Sequence, residues 1–136
     1  KVAPLVILLD MDGVLVDYDE GFFSRWNQTI APVNRSASYF MEQCVSIEYN
    51  RAAEEIALQK GFFESLNPMK GALKAIQEME ADGFSLFICS SPSEESQYCV
   101  QEKLNWIRKH LGERWIYKTI FTHDKVSWTC VCARDT

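Results

Sequence analysis

A short apolar run that ends in two aspartates constrains the fold of this chain more than any other feature. Residues 6–9 are Val-Ile-Leu-Leu, and Asp10, Met11, Asp12 and Gly13 follow them directly. A continuous apolar run bounded by turn residues is typical of a strand that is buried on both faces, as in a parallel sheet. In open α/β sheets, ligands bind at the carboxyl ends of the strands. The sequence therefore predicts a parallel sheet with two carboxylates at its ligand-binding edge.

Helical patterns separate this strand from the next one. Apolar residues at helical spacing predict helices over residues 19–30 and 39–60, and a further helix over residues 72–79. Residues 84–89 form the second predicted core strand. We interpret residues 19–62 as a small helical insertion that interrupts an otherwise regular alternation of strands and helices.

The segment after the second strand predicts another helix and a third strand. Residues 91–94, Ser-Pro-Ser-Glu, match a capping box with proline at the first helical position. The apolar face of this helix is expected to consist of Val100, Leu104, Ile107 and Leu111. Residues 115–121 are predicted to form the third strand. Right-handed crossovers would join these elements into a doubly wound parallel α/β sheet in a single domain over residues 1–136.

Composition limits the classes of partner. Of the 136 residues, 47% are hydrophobic and 24% are charged, which is typical of a soluble globular protein. The net charge of −5 argues against broad electrostatic binding to a nucleic acid polymer or an anionic membrane. No segment approaches the roughly 20 apolar residues of a membrane span. The 5 cysteines have irregular spacings, so we expect reduced thiols rather than a metal site.

Polar side chains follow each predicted strand: Asp10 and Asp12 the first, Ser90 the second and Lys125 the third. Phosphoryl transfer to water needs a nucleophile, a proton donor and positive charge near the phosphate. Two acids beside Mg²⁺ can supply the first two, and a lysine can supply charge. Each signal also has an ordinary explanation: a surface turn, a solvent-facing lysine, or Ser91 as a helix N-cap. The last would leave Ser90 as the better phosphate ligand.

Three motifs carry a family resemblance. Residues 10–15, 87–92 and 122–125 resemble the first three motifs of the haloacid dehalogenase superfamily. The residues around them are most similar to the 5′(3′)-deoxyribonucleotidases, whose pattern also resembles residues 61–68 and 98–103. The resemblance implies a Mg²⁺-dependent phosphatase that acts on deoxyribonucleoside monophosphates through an aspartyl-phosphate.

The resemblance also implies a role for each matching residue. Asp10 corresponds to the nucleophile and Asp12 to the acid/base, and both lie at the Mg²⁺ site, Asp12 through its backbone carbonyl. The phosphate is expected to bind Ser90 and Lys125, with Ser91 nearby.

Further positions correspond to residues around the substrate. Lys103 matches a lysine near the phosphate, and Tyr18, Tyr39 and Phe40 match aromatic residues that enclose the nucleobase, although a core or surface role for Tyr18 is equally open. The implied partner is a small nucleoside monophosphate, a homodimer is allowed, and the implied compartment is the cytoplasm or the mitochondrion.

The C-terminus departs from the family pattern. The fourth family motif is a strand that ends in paired aspartates, whereas here Asp135 falls at the spacing of the first and Thr136 at the second. We therefore expect weaker Mg²⁺ binding and a sheet without its C-terminal strands.

Three alternatives stay open at this point. One is a phosphatase of the same superfamily for another small phosphate ester, and another is an inactive isoform that binds nucleotide or a protein partner. The third is a response-regulator receiver. Receivers carry the phosphorylated aspartate after a central strand, whereas here that strand ends in Ser90 and Ser91.

Overall fold

The computed structural model describes residues 5–26 and 47–125. Its sheet has three parallel strands in the order β1 (Val6–Leu9), β2 (Ser85–Ser90) and β3 (Thr119–Phe121). All three strands end at the same edge of the sheet because they are parallel. The predictions for Tyr39, Phe40 and Asp135, for much of the insertion and for the C-terminal strands lie outside the described residues.

Helices connect the strands. The described helices are α1 (Tyr18–Arg25), α2 (Ile47–Leu58), α3 (Ala72–Ala81), α4 (Cys99–His110) and a 3₁₀ helix (Glu113–Lys118). The first three precede β2, and the last two lie between β2 and β3. The predicted α/β class, with a parallel Rossmann-like sheet and helical crossovers, is confirmed.

The first strand is less buried than its sequence predicts. All four residues of β1 are half-buried, because within the described part β1 pairs on one side only, with β2. The central strand β2 carries the more deeply buried side chains, and Leu86 and Ile88 have no exposed surface. The hydrophobic core therefore centres on β2.

The predicted start of the fourth helix is wrong. α4 begins at Cys99, and no helix forms at the capping-box sequence. The Ser91 hydroxyl donates instead to the carbonyl of Thr122 (3.2 Å), and the Ser93 amide donates to Cys99 Sγ (3.4 Å). The loop after β2 is thus held by tertiary contacts with β3 and α4 rather than by a local cap.

The predicted apolar face of α4 is also partly wrong. Val100 is 41% exposed, whereas Cys99, Trp106 and Ile107 are buried. The buried face of the helix differs from the predicted apolar face. It includes two charged residues, Glu102 and Lys103. Purely apolar spacing cannot detect a buried face of this kind.

The third strand is shorter than predicted. Residues 113–118 form a 3₁₀ helix, and β3 begins at Thr119. The Thr119 hydroxyl donates to the Trp115 carbonyl (2.7 Å) at the end of this helix. Trp115 is buried, so its apolar character indicates core packing and not a strand.

Candidate active site

The two aspartates lie on a tight loop after β1. The Met11 carbonyl accepts hydrogen bonds from the amides of Val14 (3.2 Å), Leu15 (2.9 Å) and Val16 (3.0 Å). Gly13 has a φ of 75°, a conformation that favours glycine. The chain therefore turns back within a few residues and leaves Asp10 and Asp12 at the carboxyl edge of the sheet.

Asp10 is bound from two sides through one oxygen. Its Oδ1 accepts hydrogen bonds from the Met11 amide (2.8 Å) and from Lys125 Nζ (2.8 Å). Among the described residues no contact uses Asp10 Oδ2. Lys125 follows β3, so the ends of the first and third strands meet as the motif order predicts.

Lys103 joins the second aspartate to the second strand. Its Nζ donates to Asp12 Oδ2 (2.9 Å), Ser90 Oγ (2.9 Å) and the Ser91 carbonyl (3.4 Å). The Lys103 side chain is only 1% exposed. A buried ammonium is tolerated when it is paired and hydrogen-bonded, and these three acceptors satisfy it.

The two serines have different surroundings. Ser90 is buried with its hydroxyl against Lys103, whereas the Ser91 hydroxyl donates to the Thr122 carbonyl (3.2 Å). Ser90 thus lies within the cluster of Asp12 and Lys103. Ser91 contributes its backbone carbonyl to Lys103 but directs its hydroxyl toward β3.

Tyr18 lies beside this cluster, at the start of α1. Its ring packs edge-on against Phe62, with 5.4 Å between centroids, and stacks near Phe22 at 6.4 Å. Burial raises the pKa of Tyr18 to about 12, and the negative charge of Asp12 adds to the effect. The phenol is half-buried and therefore stays protonated at neutral pH.

The donor atoms around the acid pair fit a hard divalent cation. Asp12 Oδ1 is buried and accepts no hydrogen bond within the described residues. An unsatisfied buried carboxylate oxygen is costly, and oxygen ligands are those that Mg²⁺ prefers. No group of three or more His, Cys, Asp or Glu side chains suited to a metal occurs in the described ranges. Within the described residues, Asp10 and Asp12 are therefore the carboxylates available to a metal ion at this site.

Glu102, Phe62 and Phe63 lie in segments that resemble the family pattern, but the sequence predicted no role for them in the site. Glu102 is 5% exposed and binds the backbone amides of Gly61 and Phe63. Its sequence context is a polar helix in which any acid reads as surface. Glu102 and its neighbour Lys103 are both buried, and this burial can be recognised only from the three-dimensional structure.

The fold and the site together define an α/β domain with paired acids, a buried hydroxyl and two lysines at one sheet edge, the arrangement of a phosphotransfer enzyme. A sequence model of the "5' nucleotidase, deoxy (Pyrimidine), cytosolic type C protein" family matches residues 4–130. The chain belongs to this family, and the predicted class of enzyme, a phosphatase of the nucleotidase type, is confirmed at the family level.

Individual relatives agree with this assignment. A Bordetella bronchiseptica protein assigned provisionally to the 5′(3′)-deoxyribonucleotidases is 36% identical over 126 residues, which cover 89% of this chain and 68% of the relative. The mouse mitochondrial 5′(3′)-deoxyribonucleotidase is 32% identical over 89% of this chain and 59% of its own length. The human cytosolic-type enzyme is 31% identical over 88% and 64%. In the ranges that the structure describes, no helix has both the length and the apolar character of a membrane span.

Proposed function

We propose that this chain is a Mg²⁺-dependent phosphatase that hydrolyses deoxyribonucleoside monophosphates through an aspartyl-phosphate. The observation that carries the proposal is the cluster at the carboxyl ends of the strands, where Asp10 contacts Lys125 and Asp12 contacts Lys103. The substrate class is supported by the names of the relatives, which are 5′(3′)-deoxyribonucleotidases.

Asp10 is the proposed nucleophile. The Met11 amide and Lys125 both bind Oδ1 and so orient the carboxylate, while Oδ2 has no contact within the described residues. This free oxygen forms the bond to phosphorus as the bond between phosphorus and the sugar oxygen breaks. The product of this step is an aspartyl-phosphate, and the nucleoside leaves.

Asp12 is the proposed acid/base. Its protonated carboxyl gives a proton to the departing sugar oxygen, and the resulting carboxylate later takes a proton from water. That water attacks phosphorus and releases inorganic phosphate, which restores Asp10. Lys103 donates to Asp12 Oδ2 (2.9 Å) and so orients this carboxyl group.

The phosphate is proposed to bind between the two lysines. The ammonium groups of Lys103 and Lys125 and the hydroxyl of Ser90 lie next to the aspartates. These groups provide positive charge and hydrogen-bond donors where negative charge develops in the transition state. Ser91 shapes the same loop, since its carbonyl binds Lys103.

Mg²⁺ is the proposed cofactor. Asp10 and the backbone carbonyl of Asp12 would hold it. When bound, the ion offsets the repulsion between the carboxylates and the phosphate. Asp12 Oδ1 is buried and accepts no hydrogen bond within the described residues, which supports the proposal because a nearby cation would offset the cost of this unsatisfied oxygen. Asp135, the further predicted carboxylate, lies outside the described residues.

The nucleoside is proposed to lie on the side of Tyr18. This aromatic ring packs against Phe62 and lies close enough to Asp12 for its negative charge to raise the pKa of Tyr18. Tyr39 and Phe40 belong to the same proposal.

A homodimer and a location in the cytoplasm or mitochondrion are further parts of the proposed function, and the names of the cytosolic and mitochondrial relatives support the location.

Phosphate release from deoxyuridine monophosphate, with and without Mg²⁺, tests this function. We expect metal-dependent turnover by the wild type and a loss of roughly 10³-fold or more in Asp10→Asn, because an amide cannot replace the nucleophile. Asp82→Asn is the matched control, since Asp82 is exposed at the end of α3 and precedes the amino end of β2, whereas the cluster lies at the carboxyl end of that strand. A folded wild-type chain without turnover would contradict the proposal.

A further inference from the structure

We infer that Glu102 is a positioning residue that fixes the turn at residues 61–63 against α4 and thereby sets selectivity for the nucleoside part of the substrate. The inference rests on the proposed function above. Glu102 touches none of the proposed reacting groups. Its effect would be transmitted through the aromatic rings that the turn carries.

The contacts of Glu102 are those of a buried anchor. One carboxylate oxygen accepts a hydrogen bond from the Gly61 amide, and the other accepts one from the Phe63 amide (3.0 Å). Glu102 is 5% exposed and forms no ion pair within the described residues. Burial of a carboxylate without a cation is costly, so the two backbone bonds are what keeps it in place.

The turn bound by Glu102 contacts two proposed site residues, Lys103 and Tyr18, through its aromatic rings. The Phe63 ring lies 5.1 Å from Lys103 Nζ, and the Phe62 ring lies edge-on to Tyr18, with 5.4 Å between centroids. Gly61 has a φ of 88°, which places the backbone in a conformation that favours glycine. Through the Phe62 ring the turn therefore supports Tyr18, the proposed nucleoside wall, whereas Lys103 is held chiefly by its own hydrogen bonds to Asp12, Ser90 and Ser91.

Glu102 and Lys103 are consecutive residues of α4, but their side chains bind different parts of the chain. Consecutive residues on a helix point about 100° apart, so α4 directs Lys103 toward Asp12 and Ser90 and Glu102 toward the turn. The turn also follows α2, so this contact joins the end of the predicted insertion to the sheet-bound part of the chain.

Loss of the Glu102 carboxylate should affect the two ends of the substrate differently. The amides of Gly61 and Phe63 would lose their acceptor, and the Phe62 ring would no longer be held against Tyr18. Lys103 keeps its three hydrogen bonds to Asp12, Ser90 and Ser91, so the phosphate end should change little.

The test compares deoxyuridine monophosphate with p-nitrophenyl phosphate, an ester that lacks the nucleoside, in Glu102→Ala and Glu102→Gln at a temperature where all variants are folded. For Glu102→Ala we expect KM for the nucleotide to rise roughly 5- to 30-fold, while kcat/KM for the aryl ester stays within about 2-fold. Glu102→Gln keeps one acceptor oxygen and should fall between wild type and Glu102→Ala.

Glu64→Gln is the matched control. Glu64 directly follows the turn and accepts an exposed hydrogen bond from Asn105 Nδ2 (3.2 Å) on the same helix. We expect this variant to match the wild type on both substrates. Hydrogen exchange provides a second readout, because the Gly61 and Phe63 amides should exchange faster in Glu102→Ala but not in Glu64→Gln.

Equal losses on both substrates, or a lower Tm with an unchanged nucleotide KM, would overturn the inference and leave Glu102 a structural residue. Wild-type protein that hydrolyses no nucleotide would instead overturn the proposed function, and the selectivity role with it. If Glu102→Ala does not fold, the decision rests on Glu102→Gln, in which the same selective rise in nucleotide KM is required.

Discussion

Lys103 shows how the surroundings of a single residue define this site. A lysine on a polar helix is ordinarily solvent-facing, yet its side chain is buried here against a carboxylate, a hydroxyl and a backbone carbonyl. Three donors on one ammonium match these three acceptors. The same contacts orient Asp12 and Ser90 relative to each other, so the proposed phosphate-binding lysine also organises its neighbours.

Replacement of Lys103 should therefore lower both activity and stability. In Lys103→Met we expect kcat/KM to fall by roughly 10²-fold or more, because positive charge near the phosphate is lost. The free energy of unfolding should fall by about 1–3 kcal/mol, because Ser90 and Asp12 lose a buried donor. Asp12 is 36% exposed, and this keeps the cost below that of a fully buried pair.

Kinetics and urea denaturation of Lys103→Met measure the two effects. Lys109→Met, an exposed lysine on the same helix, is the control and should resemble the wild type in both experiments. An active Lys103→Met variant would show that Lys125 alone supplies the positive charge needed for the reaction.

At the scale of elements, α3 and the 3₁₀ helix are joined by an acid with two basic partners. Glu80 accepts two hydrogen bonds from Arg114, at 2.9 and 2.7 Å, and lies 3.7 Å from Lys118. Arg114 and Lys118 also lie over the Trp115 ring, at 5.3 and 4.5 Å from its centroid. These charged side chains cover the buried Trp115, which belongs to the 3₁₀ helix that precedes β3 in the chain.

The Glu80 contact should make part of the stability depend on pH. Hydrogen bonds from Arg114 lower the pKa of Glu80 below its ordinary value of 4.5. A lowered pKa in the folded state means that the contribution is complete above the pKa of the unfolded chain and is lost as the pH falls through the folded pKa. In Glu80→Gln we expect Tm at neutral pH to drop by at most about 4 °C, since the pair lies at the surface.

Thermal unfolding of wild type and Glu80→Gln between pH 7 and pH 3 checks this expectation. The difference in Tm should shrink toward acidic pH, because Glu80 then becomes protonated in the wild type too. Glu113→Gln, which removes a more exposed pair with Arg108, is the comparison and should cost less. A Tm difference that stays constant over the whole range would assign the effect to packing instead of charge.

For the whole molecule, the acid pair predicts a link between metal binding and folding. A ligand that binds only the folded state raises the free energy of unfolding by about 2.7 kcal/mol at 100 times its Kd. We expect Mg²⁺ to raise the Tm of the wild type in a saturable way and EDTA to reverse the rise. The rise should be reduced in Asp10→Asn, because one oxygen ligand loses its charge.

Sodium chloride at matched ionic strength is the control for screening of the negatively charged chain. If Mg²⁺ stabilises Asp10→Asn as strongly as the wild type, the ion binds elsewhere. This readout does not require turnover, so it separates a lack of metal binding from a lack of catalysis.

The parts of the fold that were predictable depend on local patterns. The strand Val6–Leu9 and the helix Ala72–Ala81 were both predicted, because an apolar run or an amphipathic pattern with clear turn residues needs no distant partner. The convergence of Asp10, Ser90 and Lys125 also followed from the sequence, since the ends of parallel strands share one edge. The family resemblance predicted Lys103 and Tyr18 as site residues; in the structure Lys103 binds Asp12, and the charge of Asp12 contributes to the raised pKa of Tyr18.

Other features were decided by tertiary contacts. The capping-box sequence at residues 91–94 is a valid local signal, but the Ser91 hydroxyl binds the Thr122 carbonyl across the sheet edge, and α4 begins at Cys99 instead. A short-range signal is worth only about 1 kcal/mol, and several tertiary hydrogen bonds can outweigh it.

The sequence by itself determined the first two strands, the polar residues that follow each strand and the family, because these depend on neighbouring residues and on the chain order of motifs. Only the tertiary structure decided that Glu102 and Lys103 are buried and face in different directions. A charged residue becomes an interior one when distant backbone amides or carboxylates replace water around it. The partners of Glu102 are 39 and 41 residues away along the chain, beyond the reach of any local pattern.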